Sequence, residues 1–378
     1  MSFERSSPAS ARPRPSATVL HFPASRRTGA VRAWLWTVAA AIFLMVLVGG
    51  ATRLTESGLS ITEWEPLFGA VPPLSVAAWE AKFAAYKTIP QFALHPDMTL
   101  AEFQRIFFWE WTHRLIGRAL GLVIAGPLVW FWWRGRLTRT LKKQSVGLLV
   151  LVGLQGAVGW WMVKSGLADR TEVSQYRLAT HLLLATATLG VTLWLAEGLR
   201  RRAPEALGAA LGRLRGGANL VIALVFAQIG LGALVAGLRA GYLDNTWPLM
   251  EGGLVPPLHS LLFLQPVWRN LFENATTVQF DHRLTAYVLF AVALAYGLAA
   301  RRIAPGTRAA RRAAILAGLV FCQAAIGVVT LLWVVPFHAA LAHQAFAMVV
   351  FGTAVVHRRA LSPAAVERSA KPAHRVPA

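Results

Sequence analysis

Four of the ten histidines recur in matched surroundings, and they are the residues best placed to do chemistry. His113 follows Glu110-Trp-Thr and precedes Arg114, while His282 follows Gln279-Phe-Asp and precedes Arg283. His181 closes an Ala-Thr-His triplet and His343 a Leu-Ala-His triplet, and the stretch LQGAVG at 154–159 answers CQAAIG at 322–327. A single histidine in an apolar helix is commonly a hydrogen-bonded packing residue. Two pairs in register across a repeat point instead to ligands, because an ionisable group in a membrane helix is costly and normally has a partner. Zinc takes three or four donors, and a carboxylate-bridged iron pair needs Glu-x-x-His twice with further Glu. Imidazole pairs without such company suit the two axial positions of a haem iron, so His113, His181, His282 and His343 are the candidate iron ligands. The one cysteine, Cys322, excludes disulfide frameworks, Cys-ligated zinc and thiol pairs within a single chain.

The two halves differ at one informative place. Three residues before the first histidine, on the same helix face, stands Glu110 in one half and Gln279 in the other. A carboxylate beside one haem can stabilise positive charge or move a proton, and an amide beside the other cannot. The first half therefore reads as the reactive site, with Glu110, His113 and His181 as its catalytic set, and the second as the electron-carrying site. Glu110→Gln is expected to keep shape and folding while removing that chemistry. Arg114 and Arg283 could pair with haem propionates or simply snorkel to the interface. Gly156, Gly159, Ala324, Ala325 and Gly327 could open slots for the macrocycle or allow close helix packing.

The elements that must position these residues follow from composition. A chain 56% hydrophobic and only 15% charged, with mean hydropathy +0.49, is neither disordered nor a nucleic-acid-coating protein. Eight apolar runs, at 33–51, 115–133, 146–163, 178–195, 218–238, 284–300, 313–335 and 339–356, are long enough to cross a bilayer core of about 30 Å. Alternate connections and the two tails carry 26 of the 38 basic residues but only 4 of the 17 acidic ones, which puts both termini in the cytoplasm. The net charge of +21 is thus a topology determinant facing anionic lipid, and nucleic acid is excluded as a partner. The expected fold is an all-α membrane protein, eight transmembrane helices arranged as two pseudo-symmetric four-helix bundles.

The expected divisions are a cytoplasmic tail at 1–32, a first half at 33–198 with a long outer loop at 53–112, a linker at 199–217, a second half at 218–357 and a tail at 358–378. The Ser-, Pro- and Arg-rich first segment reads as a tail or as an organellar transit peptide. Segments 74–86 and 100–108 read as short interfacial helices in the first outer loop, with a similar piece around 258–272 in the second. All four histidines are expected near the outer ends of even-numbered spans.

These residues carry a family resemblance. The strings TRLTESGLSITEW at 52–64, FFWEWTHRLIG at 107–117, NTWPLM at 245–250 and QFDHR at 279–283, with His343-Gln344, resemble haem A synthases of the branch found in mitochondria and proteobacteria. The resemblance runs from the first span to the eighth. It implies an oxidoreductase of haem A biosynthesis that converts the C8 methyl of haem O to a formyl group for terminal oxidases. It also implies a resident haem b on His282 and His343, with the substrate haem on His113 and His181 and Glu110 as the catalytic glutamate. Other branches carry a cysteine pair in the first outer loop, which this sequence lacks. Expected partners are haem O, haem O synthase, oxidase-assembly factors and membrane lipid, with a homo-oligomer left open. The expected location is the cell inner membrane, the mitochondrial inner membrane being the alternative. A di-haem b cytochrome that only carries electrons would need the same histidines without the Glu110 asymmetry, and the repeat alone would also suit a transporter.

Overall fold

The computed structural model describes residues 26–65, 68–200 and 205–362. Most of the tail expected at 1–32, and that at 358–378 from residue 363 onward, lie outside the described residues. Eleven α-helices are described: α1 (Arg26–Leu54), α2 (Val76–Tyr86), α3 (Leu100–Trp133), α4 (Arg139–Lys164), α5 (Gln175–Gly198), α6 (Ala210–Gly237), α7 (Leu258–Leu261), α8 (Asn270–Glu273), α9 (Ala275–Ile303), α10 (Arg308–Leu332) and α11 (Phe337–Ala360). Eight of them, all but α2, α7 and α8, are long and apolar enough to cross a membrane, which makes this a multi-pass membrane protein. Leu122, Val129, Trp133 and Ile315 are each more than half exposed on these helices, as expected where lipid is the solvent.

Helix starts are written locally. Thr99 and Glu102 form a reciprocal capping box at α3, and Thr138, Asn274 and Thr307 cap α4, α9 and α10. The segment 100–108 is therefore not a separate interfacial helix but the opening of α3. Glu110, Thr112, His113 and Arg114 interrupt the hydropathy there without breaking the helix. His181, His282 and His343 sit in the first or second turns of their helices, whereas three turns of α3 precede His113. Pro127 lies inside α3 and lacks an N–H, which frees the carbonyl of Val123 one turn earlier. The indole N–H of Trp34 on α1 donates to it at 2.8 Å, so this carbonyl is not stranded in the apolar core.

In the first half α1 packs on α3, α3 on α4, α4 on α5 and α5 back on α1; in the second, α6, α9, α10 and α11 close a corresponding ring. The halves meet through α5 against α6 and α11, and α1 against α11. At that seam a Cβ on Gly50 of α1 would lie 2.3 Å from Oε1 of Gln344, whose amide donates to the Val46 carbonyl at 2.8 Å. One apolar core fills both rings. A second core, including Leu59, Ile61, Phe83, Tyr86, Phe103 and Phe107, turns the first outer loop into a built cap over α3. Its Phe83 and Phe103 rings stack at 5.0 Å. The piece expected around 258–272 is broken into α7, a 3₁₀ turn and α8, because Pro266 interrupts it.

Candidate functional site

The four histidines come together as two pairs. The rings of His282 and His343 face each other across the second half with centroids 6.4 Å apart. With a metal–imidazole bond of about 2 Å, that spacing admits one metal atom between two ring edges. His113 and His181 lie within electrostatic reach of each other in the first half. All four rings are half-buried.

Each ring rests on a glycine of the preceding transmembrane helix. A Cβ on Gly49, Gly159, Gly232 or Gly327 would lie 2.8, 3.0, 3.2 or 2.8 Å from Cε1 of His113, His181, His282 or His343 respectively. Only a residue without a side chain lets the helices approach so closely while an imidazole lies between them. A glutamine one turn before three of these glycines reaches the same histidine. Gln155, Gln228 and Gln323 donate to the main-chain carbonyls of His181, His282 and His343 at 2.9, 2.9 and 3.0 Å. Each amide nitrogen also lies 3.0–3.4 Å from both nitrogens of that ring, which places it side-on to the imidazole.

Gly159, Gly327 and the strings holding Gln155 and Gln323 are legible as a repeat, but Gln228, Gly232 and Gly49 are not flagged by it. The spacing Gln-x-x-x-Gly, present three times, is the signal that finds the first two.

Glu110 is buried on α3, 3% exposed, and four donors converge on its carboxylate. Ser60 Oγ and the Ile61 backbone N–H donate to Oε2, both at 2.8 Å. Arg114 donates to Oε1 from Nε at 3.1 Å and from Nη2 at 2.7 Å. The same guanidinium clamps the carbonyls of Ile61 and Glu63, both at 2.8 Å, so the loop of 60–63 and the outer part of α3 form one unit. The second half solves the same problem with opposite polarity. Gln279 donates to the carbonyl of Asp244 at 3.0 Å, and Arg283 donates to the carbonyls of Asp244, Thr246 and Leu249. Asp244 ties that loop together, its carboxylate accepting from Thr246 N and Oγ1 and from Glu251 N. Burial alone would push the Asp244 carboxyl up, but these hydrogen bonds and the Arg283 charge outweigh it and hold it below the usual carboxylate range. The Glu110/Gln279 difference is thus matched by the loops: a hydroxyl and a backbone N–H face the carboxylate, and a carbonyl faces the amide.

Between the halves, Arg53 donates to Glu172 at 2.5 Å, and Arg239 pairs with both Glu172 and Glu56. This network ties the outer ends of α1 and α6 to the connection between α4 and α5.

A haem fits this donor set on three observations of the chain itself. The facing rings of the second half admit one metal atom between them. The glycines leave a cradle that any Cβ would fill. The Nδ1 of His113 is buried without a protein partner. No three His, Cys, Asp or Glu side chains converge as a metal-binding group among the described residues, which leaves pairwise imidazole ligation as the arrangement on offer.

Fold and site together define a multi-pass helical membrane protein whose buried polar groups gather around paired imidazoles and one fixed carboxylate. Residues 32–355 match the family described as cytochrome oxidase assembly protein, and the chain belongs to that family. It is 54% identical over 349 residues to a protein of Beijerinckia indica subsp. indica named heme A synthase, covering 92% of this chain and 97% of that one. Proteins of the same name from Agrobacterium fabrum and Mesorhizobium japonicum are 53% and 52% identical, over 89% and 88% of this chain and 93% and 91% of theirs.

Proposed function

We propose that this protein makes haem A, oxidising the C8 methyl of haem O to a formyl group for terminal oxidase assembly. The family and the shared name of relatives at 52–54% identity support the activity. The observation that carries the division of labour is the pairing of four glycine-cradled imidazoles with a carboxylate on one side only. His282 and His343 hold a resident haem b, which supplies electron relay. His113 and His181 receive haem O, the substrate.

Going from methyl to aldehyde removes four electrons, as two successive hydroxylations followed by loss of water from the gem-diol. Glu110 is fixed rather than mobile. A carboxylate offers about four acceptor sites, and Ser60, Ile61 and Arg114 fill them. This supports an electrostatic role, a preorganised negative group steadying charge that develops at the substrate, over that of a proton carrier. Arg114 and Arg283, both bonded to loop carbonyls, are proposed to meet haem propionates through a remaining donor.

The basic connections support a cell inner membrane protein with both termini in the cytoplasm. The divisions 1–32, 33–198 with its loop 53–112, 199–217, 218–357 and 358–378 are proposed as one repeat of two four-helix halves with its linker and tails. The ring of helix contacts in each half supports this. Haem O synthase and oxidase-assembly factors are proposed partners.

Single substitutions separate the two sites. His282→Ala or His343→Ala should deplete haem b from the purified protein. His113→Ala or His181→Ala should spare it and stop turnover. Equal loss of haem b from both classes would mean two equivalent haems and an electron carrier.

A further inference from the structure

Three of the four imidazoles are held by one device, and the fourth lacks half of it. At His181, His282 and His343 the glycine beneath the ring is preceded one turn earlier by Gln155, Gln228 or Gln323, each bonded to the histidine carbonyl and lying side-on to the ring. At His113 the glycine is kept, as Gly49, but the residue one turn earlier is Met45. A thioether donates no hydrogen bond and sits on a flexible stem. The Met45 methyl instead reaches Gly117, one turn beyond His113, where a Cβ would lie 3.3 Å from it. His113 is also the one of the four whose Nδ1 is buried without a partner. An amide anchored to a main-chain carbonyl and lying against an imidazole, close to both of its nitrogens, limits how that ring can turn. His113 keeps its glycine seat and loses this restraint.

We propose that Met45 makes His113 the releasable member of the four iron ligands, so that the first-half site exchanges its haem on the His113 side while the other three imidazoles hold fast. This rests on the reading of His113 and His181 as substrate-haem ligands. It answers a requirement of that reading: a substrate site must take up and release a haem at every turnover, and a resident site must not. Met45 acts through His113 and is a positioning residue.

The test is haem exchange, read without turnover. The full-length protein is purified in detergent, loaded with protohaem, and mixed with excess apomyoglobin while transfer is followed in the Soret band. The unmodified protein should lose haem in a fast phase from the first half and a slow phase from the second. Met45→Gln should slow the fast phase about three- to tenfold, the effect of one net hydrogen bond, whereas Met45→Leu should leave it unchanged. Gln323→Met copies the Met45 arrangement into the second half and should speed the slow phase by a similar factor. A fast phase unaltered in folded Met45→Gln, or slowed as much by Met45→Leu, overturns the proposal. Should Met45→Gln not fold, Gln323→Met decides alone, an unaltered slow phase overturning it. His113→Ala separates this from the site reading: if both phases and the low-spin spectrum survive that change, the ligand assignment itself is wrong.

Discussion

Glu110→Gln removes one charge and almost no volume, yet the surroundings of Glu110 make it costly. Ser60 and Ile61 donate to one carboxylate oxygen and Arg114 donates twice to the other. An amide keeps a single oxygen, so its NH2 must face either the Ser60 and Ile61 donors or the guanidinium. Each buried donor left without an acceptor costs about 1–3 kcal/mol. The Ser60 hydroxyl can turn away and the guanidinium is partly solvated, so a net loss of roughly 2–3 kcal/mol is expected. The amide at Gln279 donates to the Asp244 carbonyl that its loop presents, although its Oε1 and the Nε of Arg283 are buried without a partner. Turnover should fall further, on the order of a hundredfold, if a fixed carboxylate supplies about 3 kcal/mol of transition-state stabilisation. Thermal unfolding in detergent and haem A formation are measured on the same preparation, with the haem b proposed for His282 and His343 as internal control. A lower unfolding temperature, retained haem b and sharply reduced haem A are expected. Unchanged unfolding would refute the four-donor argument, and haem A at the unmodified rate would reduce Glu110 to a structural residue.

Gln279→Glu is the reverse exchange and should destabilise the second half by about 1–3 kcal/mol, because it sets a carboxylate against the Asp244 carbonyl; an unchanged unfolding temperature would contradict this. Among the glycines, Gly327→Ala should deplete haem b more than Gly232→Ala, since the added Cβ meets the imidazole at 2.8 rather than 3.2 Å. Pyridine haemochrome quantitation distinguishes them, and the opposite order would count against the cradle. The Asp244 carboxyl is held below its ordinary range, first against burial and then by Thr246, Glu251 and Arg283. Its contribution is therefore fully present above its unfolded value of about 4 and is lost as pH falls through the lower folded value. Proteolysis of the second outer loop should rise below about pH 4. Asp244→Asn should flatten that dependence, and an equally steep response in the variant would show that other groups carry it.

The parts of this protein that lie along one helix or recur between its halves were legible in its sequence. Eight spans follow from run length, and the histidine pairs and the Glu110/Gln279 asymmetry follow from aligning two halves. Span boundaries were less so, because hydropathy drops at Glu110 to Arg114 while the helix continues from the Thr99 cap. What escaped was contact between residues far apart in the chain. That Ser60 and Ile61 hold Glu110 is a link across about fifty residues, set by a loop core of Leu59, Phe83 and Phe103 that no periodicity announces. Gln228 and Gly232 were visible in principle, since their spacing equals that of Gln155 and Gly159, but glycine and glutamine in an apolar helix look like ordinary packing until a histidine is found on top of them.

The central claim is the chemistry at the first-half site, and the haem composition of membranes tests it most directly. Cells that make haem O but no haem A are given this protein, and extracted haems are separated by chromatography. The account predicts that haem O falls and a formyl-bearing haem A appears, with on the order of a hundredfold less formed when Glu110 is replaced by Gln. Folded protein carrying haem b in membranes where haem O stays unconverted would contradict it and leave an electron carrier.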